Sequence, residues 1–248
     1  MSAEFETIDA LVLREVRYKD ADKILTLYTP TKGKISVRAI AAYSKSKRLA
    51  AATQQLTYSE MTLYKGKTGT EVREAIIKEP FDGLRKDFSN YSLGCYFSEC
   101  IEALADEADA RIMQLALNCL YALSNNLYSP ELIKATFEMR LMCLLGYAPD
   151  LEACVVCGRK EPAEPVLGIQ TGHVCCRACR NASVGNTDYL DAASFGAMKH
   201  IVYSPAKQII PHELEKESLE KLSRACEDFT MIHSERSFST LDYWKKVK

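Results

Sequence analysis

Cys154-Val155-Val156-Cys157-Gly158 and Cys176-Arg177-Ala178-Cys179 are two Cys-x-x-Cys turns separated by eighteen residues. That is the spacing of a structural zinc site. Each turn lets two thiolates reach one ion. Cys154, Cys157, Cys176 and Cys179 together complete a tetrahedral shell with no open position. A closed shell folds its segment and performs no chemistry. The stretch between the turns holds Gly158, Gly168, Gly172, Pro162 and Pro165. It can pack little core of its own, so Zn2+ supplies what burial cannot. Cys175 lies beside Cys176, and His173 two residues before Cys175. Either can replace a ligand; Cys176 is taken because it preserves the second Cys-x-x-Cys. A redox dithiol competes with this reading, but two turns at matched spacing favour metal.

Outward from this segment, 150–182, the pattern has a period of 3.6 on both sides. Leu93, Tyr96, Phe97, Cys100, Ile101 and Leu104 form one apolar stripe, after Ser89 or Asn90 as cap. Ile112, Leu115, Ala116, Cys119, Leu120 and Leu123 form a second. Ser129-Pro130 opens a third helix, cap then proline, running to about Leu145 and apolar nearly all round. Glu138 and Arg140 on it read as structural ion-pair partners. Asp191 caps a short helix through Met198, and a longer one covers Glu213 to His233. In the tail, Phe238 and Leu241 are expected to pack on the helical body.

Before residue 81 the period is two. Five strand-like runs stand there, Ile8–Val16, Lys23–Tyr28, Lys34–Ile40, Gln55–Tyr64 and Val72–Ile77, the first alternating loosely and the third strictly. Turn residues such as Pro30, Gly33, Gly66 and Gly69 separate them. Five short strands predict a small closed barrel of the OB type. The fold class is therefore α+β and multidomain. An OB-type barrel spans 1–80, and an all-helical domain spans 81–248, interrupted by the four-cysteine zinc segment.

The chain has 248 residues and a formal net charge of −1. That average conceals a basic first part. Residues 1–80 hold 14 Lys and Arg against 10 Asp and Glu. Between Tyr28 and Lys67, Lys32, Lys34, Arg38, Lys45, Lys47, Arg48, Lys65 and Lys67 face one acid, Glu60. Local charge matters over about 8–10 Å, where the whole-chain sum does not. With Tyr28, Tyr43, Tyr58 and Tyr64 interleaved, this is the composition of a single-strand nucleic-acid groove: cations for phosphates, rings for bases. A solvated charged face with core tyrosines weighs equally on sequence alone. Tyr43 to Arg48 reads as a loop.

No enzyme motif is complete. Gly66-Lys67-Thr68 imitates the end of a phosphate loop, but Met61 stands where its first glycine belongs. His212-Glu213 imitates a zinc-protease start, but Lys216 replaces the second histidine. The acidic start is no signal peptide, and no run approaches the ~18 apolar residues of a membrane span. Cysteines outside the zinc segment sit within helical patterns, as small buried hydrophobes in a reducing cytosol.

The order of features resembles the RecO family of bacterial recombination mediators. The phrases that carry it are Tyr18-Lys-Asp-Ala-Asp22 through Gly33-Lys34, Phe137-Glu-Met-Arg140 through Pro149 running into Cys154-x-x-Cys157, and Ser237-Phe-Ser-Thr-Leu241-Asp-Tyr. Each phrase alone is weak; in this order they are strong. The resemblance implies a non-enzymatic, cytoplasmic, nucleoid-associated protein. It implies binding of single- and double-stranded DNA and annealing of complementary strands. It also implies action with a RecR-like protein, engagement of the acidic C-terminal tail of single-strand binding protein, and help in loading recombinase onto coated DNA. The competing expectation is a zinc-stabilised interaction adaptor with little intrinsic DNA binding.

Overall fold

Alternation of apolar residues builds the first element, and register closes it. In the computed structural model, which describes residues 5–42, 47–66, 69–181 and 184–248, β1 is Phe5–Tyr18, β2 Asp22–Thr29 and β3 Gly33–Ala39. A short helix α1 (Lys47–Ala52) precedes β4 (Tyr58–Gly66) and β5 (Gly69–Glu79). The strands form a closed barrel in the order β1-β2-β3-β5-β4. All ladders are antiparallel except the seam between β3 and β5, which is parallel and pairs only Arg38 with Glu71 and Ala39 with Val72. Ile8, Ala10, Val12, Leu25, Leu27, Val37, Met61, Leu63 and Val72 fill the interior. They are the inward set of a period-two pattern. The region read as a loop contains α1, whose Leu49 packs against that core. Tyr43 and Lys45 lie outside the described residues, as do Lys67 and the side chain of Lys47.

Leu11 and Leu13 on β1 are also buried, on the barrel's outer side. There α2 (Phe88–Leu104) packs on β1, joined by α3 (Ala110–Ser124). The cap of α2 is Asp87, whose carboxylate accepts from the Asn90 N–H. This is two residues before Ser89 and three before Asn90; Asp87 is itself extended (φ −127°, ψ 112°), the backbone a cap requires. Gly33 (φ +63°) belongs to the β2–β3 turn, and a Cβ there would lie 2.4 Å from the Asp106 carbonyl oxygen. Only glycine allows that backbone approach.

The chain divides into two compact units, 1–124 with 238–248, and 125–237. The second starts with α4 (Pro130–Leu144), buried almost all round as its apolar composition requires. Two of its buried residues are charged. Lys134 lies 2.9 Å from Glu138 and 2.9 Å from Glu227. Among the described residues Arg140 has no ion-pair partner; its guanidinium donates to the carbonyls of Ile201 (3.0 Å) and Val202 (2.6 Å). These are last-turn carbonyls of α5 (Ala192–Tyr203), which the helix itself leaves unpaired. Between α4 and α5 lies a three-stranded antiparallel sheet that the sequence reading did not anticipate. Its strands are β6 (Pro165–Gly168), β7 (Val174–Cys176) and β8 (Thr187–Tyr189), in the order β7-β6-β8. Asp191 caps α5 with a reciprocal Ser194 box. The long α6 (Lys216–Ser234) packs on α4 and α5. The chain then returns to the first unit with α7 (Ser239–Val247), which packs on α2. Phe238, Leu241 and Trp244 are buried, and Glu99 accepts from the Thr240 N–H at 3.1 Å.

Candidate metal centre and nucleic-acid interface

The four thiols meet because the Cys154 sulfur accepts from the N–H groups of both Cys157 and Cys176, one from each turn. The Gly158 N–H donates to the Cys154 carbonyl at 2.8 Å, closing the first knuckle, and Gly158 takes φ +72°. Strand β7 delivers Cys176, and a single 3₁₀ turn (Arg177–Cys179) brings round Cys179. The sulfurs of Cys154, Cys157, Cys176 and Cys179 all lie within 4.8 Å of one another, with Cys157 and Cys176 at 3.9 Å. Four thiolates about 2.3 Å from one ion form a tetrahedron with edges of about 3.8 Å. The cluster is thus able to hold a metal ion with little movement. Cys175 points the other way, fully buried opposite Val166 and beside Val184. His173 is exposed.

Backbone dipoles prepare the cluster for a cation. Burial alone would push the Cys154 thiol up, but N–H groups of Cys157, Cys176 and Val156 outweigh it and bring it down to about 6. Two of these bonds are seen as Cys157 N–H at 3.5 Å and Cys176 N–H at 3.3 Å from the sulfur. The Cys179 thiol is pushed up to about 12, first by its hydrogen bond to Cys157 and then by burial. The sulfurs share too little space for all to be charged unless a cation sits among them.

On the barrel, register decides which cations are available. Lys32 pairs with Glu6. Lys34 lies 2.5 Å from Asp106 and donates to the Glu102 carbonyl at 2.6 Å. Arg38 pairs with Glu71 at 2.7 Å. Lys65 is exposed, and Arg48 is exposed at the rim of a hollow of about 420 Å³ that Arg73 and Ile76 also line. Tyr28 is no base platform: it is fully buried, and its hydroxyl donates to the Glu107 carbonyl at 3.1 Å. Burial also pushes its pKa up. The Tyr58 hydroxyl is held by Asp9 at 3.1 Å.

The strand registers place residues from all five strands in one row around the outside. Phe5 opposes Tyr64, Tyr64 opposes Glu71, Glu71 opposes Arg38, Arg38 opposes Ile24, and Ile24 opposes Val16. Phe5, Ile24 and Val16 are exposed large hydrophobics. The Phe5 and Tyr64 ring centroids are 5.3 Å apart, and the Arg73 guanidinium lies 4.5 Å from the Tyr64 ring. Glu71 holds Arg73 at 3.1 Å as well as Arg38. The row therefore presents two arginines on one carboxylate, beside two rings tilted 40° to each other. Sequence reasoning missed Phe5, Ile24 and Arg73. Each is an outward position of an alternating strand, but only the register makes them neighbours.

Both parts of the chain match family models. Residues 1–81 match the N-terminal region of Recombination protein O, and residues 85–242 match its C-terminal region. A DNA repair protein RecO from Acetivibrio thermocellus is 30% identical over 239 residues, covering 96% of this chain and 95% of its own. The DNA repair protein RecO of Heliobacterium modesticaldum is 30% identical over 248 residues (94% and 88%). That of Alkaliphilus metalliredigens is 25% identical over 242 (96% and 98%). With both halves matched in order and relatives aligned nearly end to end, the chain belongs to the RecO (Recombination protein O) family.

Proposed function

We propose that the protein is a DNA-repair recombination mediator that binds single- and double-stranded DNA through its barrel and anneals complementary strands. The observation that carries this is the outer row of Phe5, Tyr64, Arg73 and Arg38. Arginines exchange Glu71 for phosphates and release counterions, so two like-charged strands can approach. The rings hold unstacked bases. Arg48 and Lys65 extend the cationic surface, with Lys32 and Lys34 able to join where phosphate displaces their carboxylates. Lys45, Lys47 and Lys67 complete the set.

The four cysteines hold one structural Zn2+, which fixes the fold of the segment and takes no part in strand handling. Among the described residues no helix is long and apolar enough to cross a membrane, in keeping with work on cytoplasmic, nucleoid-associated DNA. The mediator acts with a RecR-like protein and with the acidic C-terminal tail of single-strand binding protein, and it helps load recombinase onto coated strands. No bond is made or broken.

The pairing of Lys32, Lys34 and Arg38 with acids favours a second reading, a zinc-stabilised adaptor with little DNA affinity of its own. Fluorescence anisotropy of a labelled single strand, titrated at several salt concentrations, separates the two. The mediator gives a straight log–log loss of affinity with salt, and Arg73→Ala lowers its slope by about one. No binding at low salt leaves the adaptor.

A further inference from the structure

In the unit of residues 125–237, a hollow of about 960 Å³ opens between the four-cysteine segment and the first turns of α5. Pro165, Leu190 and Phe195 give it an apolar floor, and a Cβ on Gly196 would meet nothing within 4 Å. Alternation along β8 turns Asp188 inward and Tyr189 outward onto this space. The Tyr189 ring, 39% exposed, has two guanidiniums near it, Arg177 at 5.4 Å and Arg180 at 5.8 Å from its centroid. Arg180 also donates to the Tyr189 hydroxyl at 3.1 Å, which fixes the ring's plane. The Lys199 ammonium lies 5.6 Å from the Phe195 ring. Arg177 faces Glu164 at 3.3 Å, with side chains 61% and 72% exposed. A pair so exposed holds weakly and gives way to a phosphate.

We propose that this hollow holds one unstacked base of a single-stranded nucleic acid, its face against Tyr189 and the flanking phosphates on Arg177 and Lys199. An aromatic ring with cations close by grips any base by its π-face while the cations take the adjoining phosphates. Glu161 and Glu164 at the rim accept hydrogen bonds from exocyclic amino groups, which thymine lacks. The site therefore favours adenine, cytosine and guanine. This inference rests on the DNA-binding reading above and gives the second unit a strand contact of its own.

The test uses the full-length, metal-loaded protein and a short single strand carrying one 2-aminopurine. Wild type shifts the probe's emission on binding. Tyr189→Ala reduces the shift, leaving the part that the barrel rings cause, and weakens single-strand binding about tenfold. It leaves the salt slope unchanged, because the ring meets no phosphate. Tyr189→Phe keeps the shift and loses only the small part of the affinity that the Arg180 hydrogen bond secures by holding the ring. Lys199→Ala lowers the slope by about one, and it carries the test if Tyr189→Ala does not fold. Wild-type affinity and emission in Tyr189→Ala, with Arg73→Ala still weakening binding, overturns the pocket and leaves the barrel reading standing. No binding by wild type overturns both. Equal affinity for oligothymidine and oligoadenosine removes Glu161 and Glu164 from the scheme.

Discussion

Glu71→Gln should make the protein less stable and its grip on DNA tighter. Glu71 sits on the seam where β3 and β5 pair through two residues only. Its carboxylate, with 10% of the side chain exposed, holds Arg38 at 2.7 Å and Arg73 at 3.1 Å. The arginine side chains are 31% and 47% exposed, so solvent screens both pairs. Each pair is then worth up to about 1 kcal/mol. Glutamine keeps one acceptor but loses the charge, for a cost of about 1–2 kcal/mol. That corresponds to a fall in Tm of roughly 3–6 °C. In 1 M salt, where the Debye length contracts to about 3 Å, most of the difference should vanish.

Binding moves the other way. A phosphate on either arginine lies about 7 Å from Glu71, and the repulsion at water's dielectric is about 0.6 kcal/mol for each. Removing it from two phosphates should tighten single-strand binding about fivefold to tenfold. Thermal melts at low and high salt, with anisotropy titrations on the same preparations, read both effects. A variant that melts with wild type at low salt would show that the ion pairs do not staple the seam. A variant that binds DNA more weakly would show that Glu71 positions the arginines rather than competing for them.

Three further outcomes are expected. Loaded protein should contain one Zn2+ per chain; Cys157→Ser and Cys176→Ser should lose it, Cys175→Ser should keep it, and metal retained by Cys176→Ser would refute the ligand set. Lys134→Met removes the buried cation that Glu138 and Glu227 share and should cost about 3–5 kcal/mol in urea melts, much of it recovered when Glu138→Leu is added. Asp188 titrates above its ordinary range, first because it is buried and then because Asp228 faces it, with Arg224 opposing both. The folded state therefore holds that proton more tightly than the unfolded chain. Its stabilising contribution is present at low pH and is lost as pH rises through the folded pKa. Asp188→Asn should accordingly be more stable than wild type at pH 8 and indistinguishable from it near pH 3; a variant less stable at pH 8 refutes this.

What was legible in the sequence was local. The two Cys-x-x-Cys turns are complete within four residues each, and the inward residues of β2 to β4 repeat every second position, whereas a bulge in the β4–β5 ladder breaks the repeat on β5 between Val72 and Ala75. The helix caps Ser129 and Asp191 likewise precede their helices in the chain. What stayed hidden depends on partners distant in sequence. Lys32 and Lys34 read as free cations, yet Glu6 and Asp106 reach them only after β2, β3 and the loop after α2 are in place. Tyr28 has the composition of a base platform, but the residues 107–109 cover it. The β6–β8 sheet escaped notice because strands of three or four residues are too short for a period to show. The girdle of Phe5, Tyr64, Arg38 and Ile24 exists only once every register is set. Cys175 and Cys176 are equivalent as text and opposite as side chains, since neighbouring residues on β7 face opposite ways.

The return of α7 to the first unit has a consequence for how the chain comes off the ribosome. Residues 125–237 form a unit of their own and can fold as soon as they emerge. The barrel and α2 are made first but cannot be completed first. The surface that Phe238, Leu241 and Trp244 cover stays open while more than a hundred further residues are synthesised. At about 5–20 residues per second, the stretch from Leu104 to Val247 leaves roughly 7–29 s of exposed apolar surface. The earlier-made part of the molecule is thus the last to finish, and the closing step is the docking of a nine-residue helix.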